Sequence, residues 1–224
     1  MSSYKLDLHV HTKNVSPCSQ VDAPELVHLY QGIGYAGVVI TDHYYDRYFN
    51  GLTGFSWPAK IDCFLTGYRQ ALATGQKIGL DVLWGMEIRF TESDNDYLVY
   101  GIGENFLKEN PRLYNLSLVQ FRELIRHQNI PIYQAHPFRP GMSLVHPELI
   151  DGIEVFNGNC QHDSRNSSAF EFAQKNNIKM ISGSDFHRPQ DLGRGGISTS
   201  EKITSSTELV KALQNSHTIQ LLGI

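Results

Sequence analysis

Short apolar runs alternate along the chain with longer stretches in which apolar residues recur every three or four positions. The short runs predict strands over Tyr4–Val10, Tyr35–Ile40, Asp81–Ile88, Tyr97–Ile102, Pro131–Ala135, Asp151–Phe156 and Lys179–Ser182. The longer stretches predict helices over Ala23–Gln31, Pro58–Thr74, Leu116–Gln128, Ser167–Asn176 and Ser206–Asn215. The first helix carries its own start signal, with Asp22 as N-cap, Pro24 in the first turn and Glu25 behind it; Gly32 and Gly34 stop it. Strand, helix, strand in repetition points to βα units around a largely parallel sheet. The strand runs are apolar on both faces, as in VLWGMEI and IPIYQA, which fits a sheet covered on both sides. No helix separates Glu87 from Tyr100, where ESDND at Glu92–Asp96 reads as the turn of a hairpin. The expectation is an irregular α/β barrel, with residues 1–224 as one domain.

Composition narrows the function. The net charge is −4 and no block of Lys or Arg stands out, so a surface that coats nucleic acid is not indicated, although a short oligonucleotide needs only a few local cations. Three widely spaced cysteines, Cys18, Cys63 and Cys160, argue against a disulfide framework and for a reducing compartment. The opening MSSYKLDLHVHT lacks the apolar core of a signal peptide, and no apolar run is long enough to span a bilayer. A cytoplasmic location is expected, with no membrane partner. Ten histidines are an excess whose meaning depends on where they fall.

Half of them fall at strand ends. The first strand ends His9-Val10-His11, and residues two apart on a strand face the same side. The second runs into Thr41-Asp42-His43, the third ends Gly85-Met86-Glu87, and the Pro131 strand ends Ala135-His136-Pro137. The Asp151 strand ends Glu154-Val155-Phe156-Asn157, and the last predicted strand leads into Ser184-Asp185-Phe186-His187. In a parallel barrel the C-terminal strand ends meet at one mouth, where active sites are built. Mixed nitrogen and oxygen ligands suit Zn²⁺, Mn²⁺ or Fe²⁺. There are more ligands than one ion needs, so two or three divalent ions bridged by Glu87 are expected. Closely spaced ions generate hydroxide at neutral pH and clamp an oxyanion, as phosphoester hydrolysis requires.

Each motif has a plainer explanation when taken singly. Asp after a strand commonly caps the next helix, Ala-His-Pro can be a simple turn, and Asp185 can cap a Gly-Ser-Asp loop. None of these explains why all the sites share one position relative to a strand. His28 lies within a helix and His127 at a helix end, and both read as structural. Cys18, on the loop after the first strand, reads either as a half-buried thiol or as a thiolate ligand of a third ion. The aromatic loop Tyr44–Trp57 beside His43 reads as packing more than as a platform for a ring.

The run LDLHVHT, SPCS, DAPELV, GYAGVVITDH, GMEI, AHP, GIEVFNGN and GSDFH resembles the PHP (polymerase and histidinol phosphatase) family from about Lys5 to Gly193. The resemblance implies a distorted (β/α)7 barrel with a trinuclear metal centre. It places His9, His11, Glu87 and Asp185 on one ion, and Glu87 and His136 on a second. His43 and His187 would hold a third, with Cys18 where relatives place Asp or His. Some members carry a further histidine in the region matching Tyr97–Glu104; this chain has none there.

The implied reaction is hydrolysis of a small phosphomonoester or short nucleotide phosphodiester by a metal-bridged hydroxide. Glu87, as the bridge, and His43 and His187, as proton donors to the leaving alcohol, are the catalytic candidates. Arg139, Arg165, Arg188, Arg194 and the strand-end Asn157 are the candidates for holding the substrate, since guanidinium pairs well with phosphate. The expected partner is a phosphorylated metabolite or nucleotide, with no stable nucleic-acid complex. Two other readings keep the same barrel: hydrolysis of an amide in the same metal site, and a catalytically inactive metal-binding accessory domain.

Overall fold

The computed structural model describes residues 3–224, and of Ser216 the backbone only. Its elements run β1 (Tyr4–Val10), α1 (Ala23–Gly32), β2 (Gly37–Ile40), β3 (His43–Tyr44), α2 (Asp46–Gly51), α3 (Trp57–Phe64), α4 (Thr66–Ile78), β4 (Asp81–Arg89), β5 (Asp96–Tyr100) and α5 (Glu104–Glu109). They continue α6 (Leu118–Ile125), β6 (Ile132–Gln134), β7 (Gly152–Asn157), α7 (Asn166–Asn176), β8 (Lys179–Gly183), β9 (Gly196–Thr199), α8 (Ser206–Gln214) and β10 (Ile219–Leu222).

Seven strands form the wall, in the order β1-β2-β4-β5-β6-β7-β8. The two ends of this row meet where Val10 bridges Phe186. There His11 N donates to Phe186 O at 3.1 Å and Phe186 N to His9 O at 3.1 Å. The fold is therefore the distorted seven-stranded α/β barrel that the sequence resemblance implies. The irregularity sits at β5, which is antiparallel to both β4 and β6. Outside the wall, β9 pairs antiparallel with β1, and β10 with β9. No helix among the described residues is long and apolar enough to cross a membrane.

The two-faced apolar strands have a direct cause. Leu8, Val39, Leu83, Leu98, Tyr133 and Ile181 come from six different strands and meet in one buried cluster, the packing of the barrel interior. Their neighbours Val38, Ile40 and Val82 point the other way, against Leu26, Val27 and Tyr30 of α1 and Ala71 of α4. Burying both faces removes the alternation that marks a half-exposed strand. The aromatic loop packs as expected: Tyr44 and Phe49 are buried against Phe64 and Tyr114. The predicted helix over Pro58–Thr74 is two helices, interrupted at Leu65. The short elements β3, α2, α5, β9 and β10 have too few residues to show a period and were not predicted.

A candidate metal centre at the barrel mouth

β1 delivers His9 and His11 together, both fully buried, as the two-residue spacing requires. Glu87, near the end of β4, and Asp185, just after β8, close around them. His9 Nε2 lies 3.3 Å from Glu87 Oε1 and 3.4 Å from Asp185 Oδ1. His11 Nε2 lies 3.4 Å from Glu87 Oε2 and 3.3 Å from Asp185 Oδ1. On one flank His136 Nε2 lies 3.1 Å from Glu87 Oε1. On the other, the rings of His43 and His187 stand 4.2 Å and 4.3 Å from that of His11. His43 Nδ1 comes within 2.6 Å of Glu87 Oε2. Glu87 is thus central to the cluster.

Three groups of donor atoms are close enough to share an ion: His9, His11 and Asp185; His11, His43 and His187; and Glu87, Asp96 and His136. His9 Nε2 and His11 Nε2 are buried without a hydrogen-bond partner among the described residues. Orphaned donors and acceptors of this kind cost free energy unless something else satisfies them. The residues present fit divalent cations.

The charges are mutually adjusted. Burial pulls His9 down, but Glu154, Asp185 and Glu87 around it overcome that and hold its imidazolium well above the usual range. Burial and the neighbouring His43 and His187 hold His11 well below it. Burial pushes Glu87 and Asp185 up, and the surrounding imidazoles more than reverse this, leaving both carboxyls well below the usual range. The Cys18 thiol is exposed. Burial of its surroundings raises it, and hydrogen bonds from His187 and His43 bring it to about 6. It sits on the lip of the pocket, outside the tight groups of donors.

A surrounding layer holds the ligands in place. Glu154 Oε1 pairs with His9 Nδ1 at 2.9 Å, and its Oε2 accepts from His136 N at 3.0 Å and Asn157 Nδ2 at 2.8 Å. Asp42 is a brace and not a ligand. It accepts from Thr12 N and Thr12 Oγ1, both at 2.7 Å, and from Ser16 Oγ at 2.7 Å, fixing the loop that carries Cys18. His136 and Asp185 both adopt positive φ, 31° and 48°, a conformation that costs a non-glycine residue roughly 1–3 kcal/mol. Two residues of the cluster therefore sit in strained backbone conformations.

The substrate candidates divide. Arg139 donates to Asp185 Oδ2 at 2.8 Å and to Asn157 Oδ1 at 3.0 Å, and it lines a cavity of about 480 Å³ together with Arg188, His43, His187 and Glu87. Asn157 is buried behind the site as a partner of Glu154 and Arg139, not on the cavity wall. Arg165, exposed at the start of α7, and Arg194, exposed before β9, do not line the cavity. His162 does.

Two residues of the mouth escaped the sequence reading, Asp96 and Arg89. The rule that C-terminal strand ends meet at the mouth holds for parallel strands, whereas the antiparallel β5 presents its first residue, Asp96, there. The hairpin signal contained this information. Arg89 follows Glu87 by two and faces the same way.

Residues 163–218 match the family model for the PHP-associated segment. An uncharacterised protein of Methanocaldococcus jannaschii is 31% identical over 103 residues, 39% of this chain and 41% of that protein. A two-domain protein of Bacteroides vulgatus, described as containing a predicted PHP-like metal-dependent phosphoesterase, superposes with a TM-score of 0.67 at 18% identity, covering 98% of this chain and 64% of that one. A lesion-specific endonuclease of Pyrococcus furiosus superposes with a TM-score of 0.64 at 18% identity, covering 98% and 58%. In each case the match covers less than two thirds of the other protein's length. The chain thus shares the barrel fold of these PHP-like structures and carries a PHP-associated segment over residues 163–218.

Proposed function

We propose that this chain is a metal-dependent phosphoesterase acting on a small phosphomonoester or a short nucleotide phosphodiester. The observation that carries this reading is the convergence of His9, His11, Glu87 and Asp185 with buried, unpartnered ligand atoms. His9, His11 and Asp185 would hold a central ion, Glu87 would bridge it to a second at His136, and His43 and His187 would hold a third beside Cys18. Bound divalent ions would supply a hydroxide nucleophile at neutral pH and positive charge for the phosphate oxygens.

The chain's own groups do the rest. Arg139 is fixed by Asn157, Ser164 and Asp185, so its guanidinium meets a phosphate without losing further conformational freedom. His43 and His187 keep 21% and 12% of their side chains exposed while His9 and His11 are sealed. Only the first pair is open to the cavity, so whichever of the two is not engaged by a metal ion is placed to hand a proton to a leaving alkoxide. Arg188 lines the same wall and is the outer anchor for the substrate.

The test is turnover of a generic aryl phosphate, then of a panel of phosphomonoesters and dinucleotides, by metal-quantified protein with added Mn²⁺. Phosphate release is expected. Fully loaded protein that turns over none of these with any divalent ion would overturn the reading. Inorganic phosphate separates it from amide hydrolysis: a phosphoesterase pocket binds the anion tightly, whereas an amidase pocket binds it poorly.

A further inference from the structure

The two flanks of the cluster differ in chemistry. One side is nitrogen-rich: His11, His43 and His187 converge, with the thiol of Cys18 at the lip. The opposite side is oxygen-rich, with two carboxylates, Glu87 and Asp96, and a single imidazole, His136. Asp96 Oδ2 lies 3.9 Å from His136 Nε2, which in turn stands 3.1 Å from Glu87 Oε1, so the three side chains can offer one ligand atom each to a common point.

Asp96 is also held from outside. It pairs across the hairpin with Arg89, whose Nε donates to Oδ1 at 2.8 Å and whose Nη2 donates to Oδ2 at 2.6 Å. This two-point grip fixes the plane of the carboxylate and uses one lone pair on each oxygen, leaving the others for a cation. It also sets a permanent positive charge beside that position.

Imidazole and thiolate suit Zn²⁺-like ions, while carboxylates suit Mn²⁺ and Mg²⁺. We propose that the cluster sorts its metals. A nitrogen-preferring ion of the Zn²⁺ class occupies the His11, His43 and His187 flank. An oxygen-preferring ion, Mn²⁺ or Mg²⁺, occupies Glu87, Asp96 and His136. Asp96 gives the second position its preference, and Arg89 keeps it weak and exchangeable. The inference rests on the proposed function only in that the cluster binds metal.

The experiment loads the full chain with zinc, removes the excess, and titrates with Mn²⁺. Free Mn²⁺ is followed by electron paramagnetic resonance and retained zinc by mass spectrometry. The wild-type chain takes up Mn²⁺ without releasing zinc. Asp96→His takes up additional zinc, and its Mn²⁺ affinity falls by roughly tenfold or more. Arg89→Gln, which removes the competing charge, binds Mn²⁺ more tightly by a factor of about three to ten. Displacement of zinc by Mn²⁺ from the whole cluster overturns the proposal. So does an Asp96→His chain that folds with wild-type Mn²⁺ affinity. If Asp96→His does not fold, Arg89→Gln decides: unchanged Mn²⁺ affinity overturns the proposal. Sorted metals without phosphoester turnover would sink the proposed function alone; turnover with unsorted metals would sink only this inference.

Discussion

Glu154 Oε1 lies 2.9 Å from His9 Nδ1, with both side chains sealed from solvent. A carboxylate at Nδ1 fixes the tautomer and leaves Nε2 as the donor atom for a cation. The other oxygen of Glu154 accepts from the His136 backbone, so one carboxylate orients ligands from two strands. Glu154→Gln keeps the shape and weakens the charge. It is expected to lower metal affinity by roughly 10–100-fold with little change in melting temperature. Isothermal titration with Zn²⁺ or Mn²⁺ checks this, and wild-type affinity in the folded variant would refute the orienting role.

Glu87 and His28 give a contrast inside one molecule. Glu87 is buried among four imidazoles, whereas His28 is exposed on α1. Glu87→Gln removes the bridging charge and is expected to cost both metal content and turnover, with activity down by about a hundredfold or more. His28→Ala should change neither. Metal analysis and an aryl phosphate assay on the two variants side by side are sufficient; similar behaviour would mean the site is wrongly placed.

The protonation of His9 predicts a pH dependence. Burial opposes its charge, but Glu154, Asp185 and Glu87 outweigh burial and raise its pKa, so Nε2 holds a proton at neutral pH that a cation must displace. Metal affinity therefore rises with pH, and binding releases protons. Calorimetry in buffers of different ionisation enthalpy should show net proton release at about pH 7. Heats that do not depend on the buffer, with affinity flat between about pH 6 and about pH 8, would contradict this assignment.

Much of the site was legible because parallel strands give a simple rule: a polar residue at the C-terminal end of a buried strand points to the mouth. His9, His11, Glu87, His136 and Asp185 all obey it. Asp96 does not, because β5 runs the other way, and only following the hairpin through its turn would have placed it. Glu154 and Asn157 share one strand-end motif, and the sequence alone does not say which of the two faces His9. The carboxylate three residues earlier is the one that touches His9. Arg165 shows the opposite failure. It is near the motif in sequence, yet it caps the start of α7 at a φ of 50° and is exposed away from the cavity. The short strands β9 and β10 carry only four residues each, too few for a period, and acquire meaning only through pairing, β9 with β1 and β10 with β9.

The closure of the barrel depends on Gly183, the last residue of β8. A β-carbon there would lie 2.4 Å from His9 Cβ and 2.8 Å from Glu154 Oε1. The strand cannot retreat, because Gly195 packs behind it so closely that its own β-carbon would lie 2.2 Å from Gly183 O. Gly183→Ala must therefore push β1 and β8 apart at the seam where His9 meets Glu154. Overpacking of this kind costs about 1–3 kcal/mol. Because the strain falls on a metal ligand and its partner, metal affinity should fall together with the melting temperature. Gly32→Ala is the control. Gly32 ends α1 in open space with no positive φ, so alanine there should be neutral or stabilise by up to about 1 kcal/mol through the unfolded chain. Denaturant unfolding of both variants, each with and without metal, separates the effects. A Gly183→Ala chain as stable as the wild type, with full metal affinity, would mean that the β1–β8 seam is not as tight as the packing of His9 against Gly183 requires.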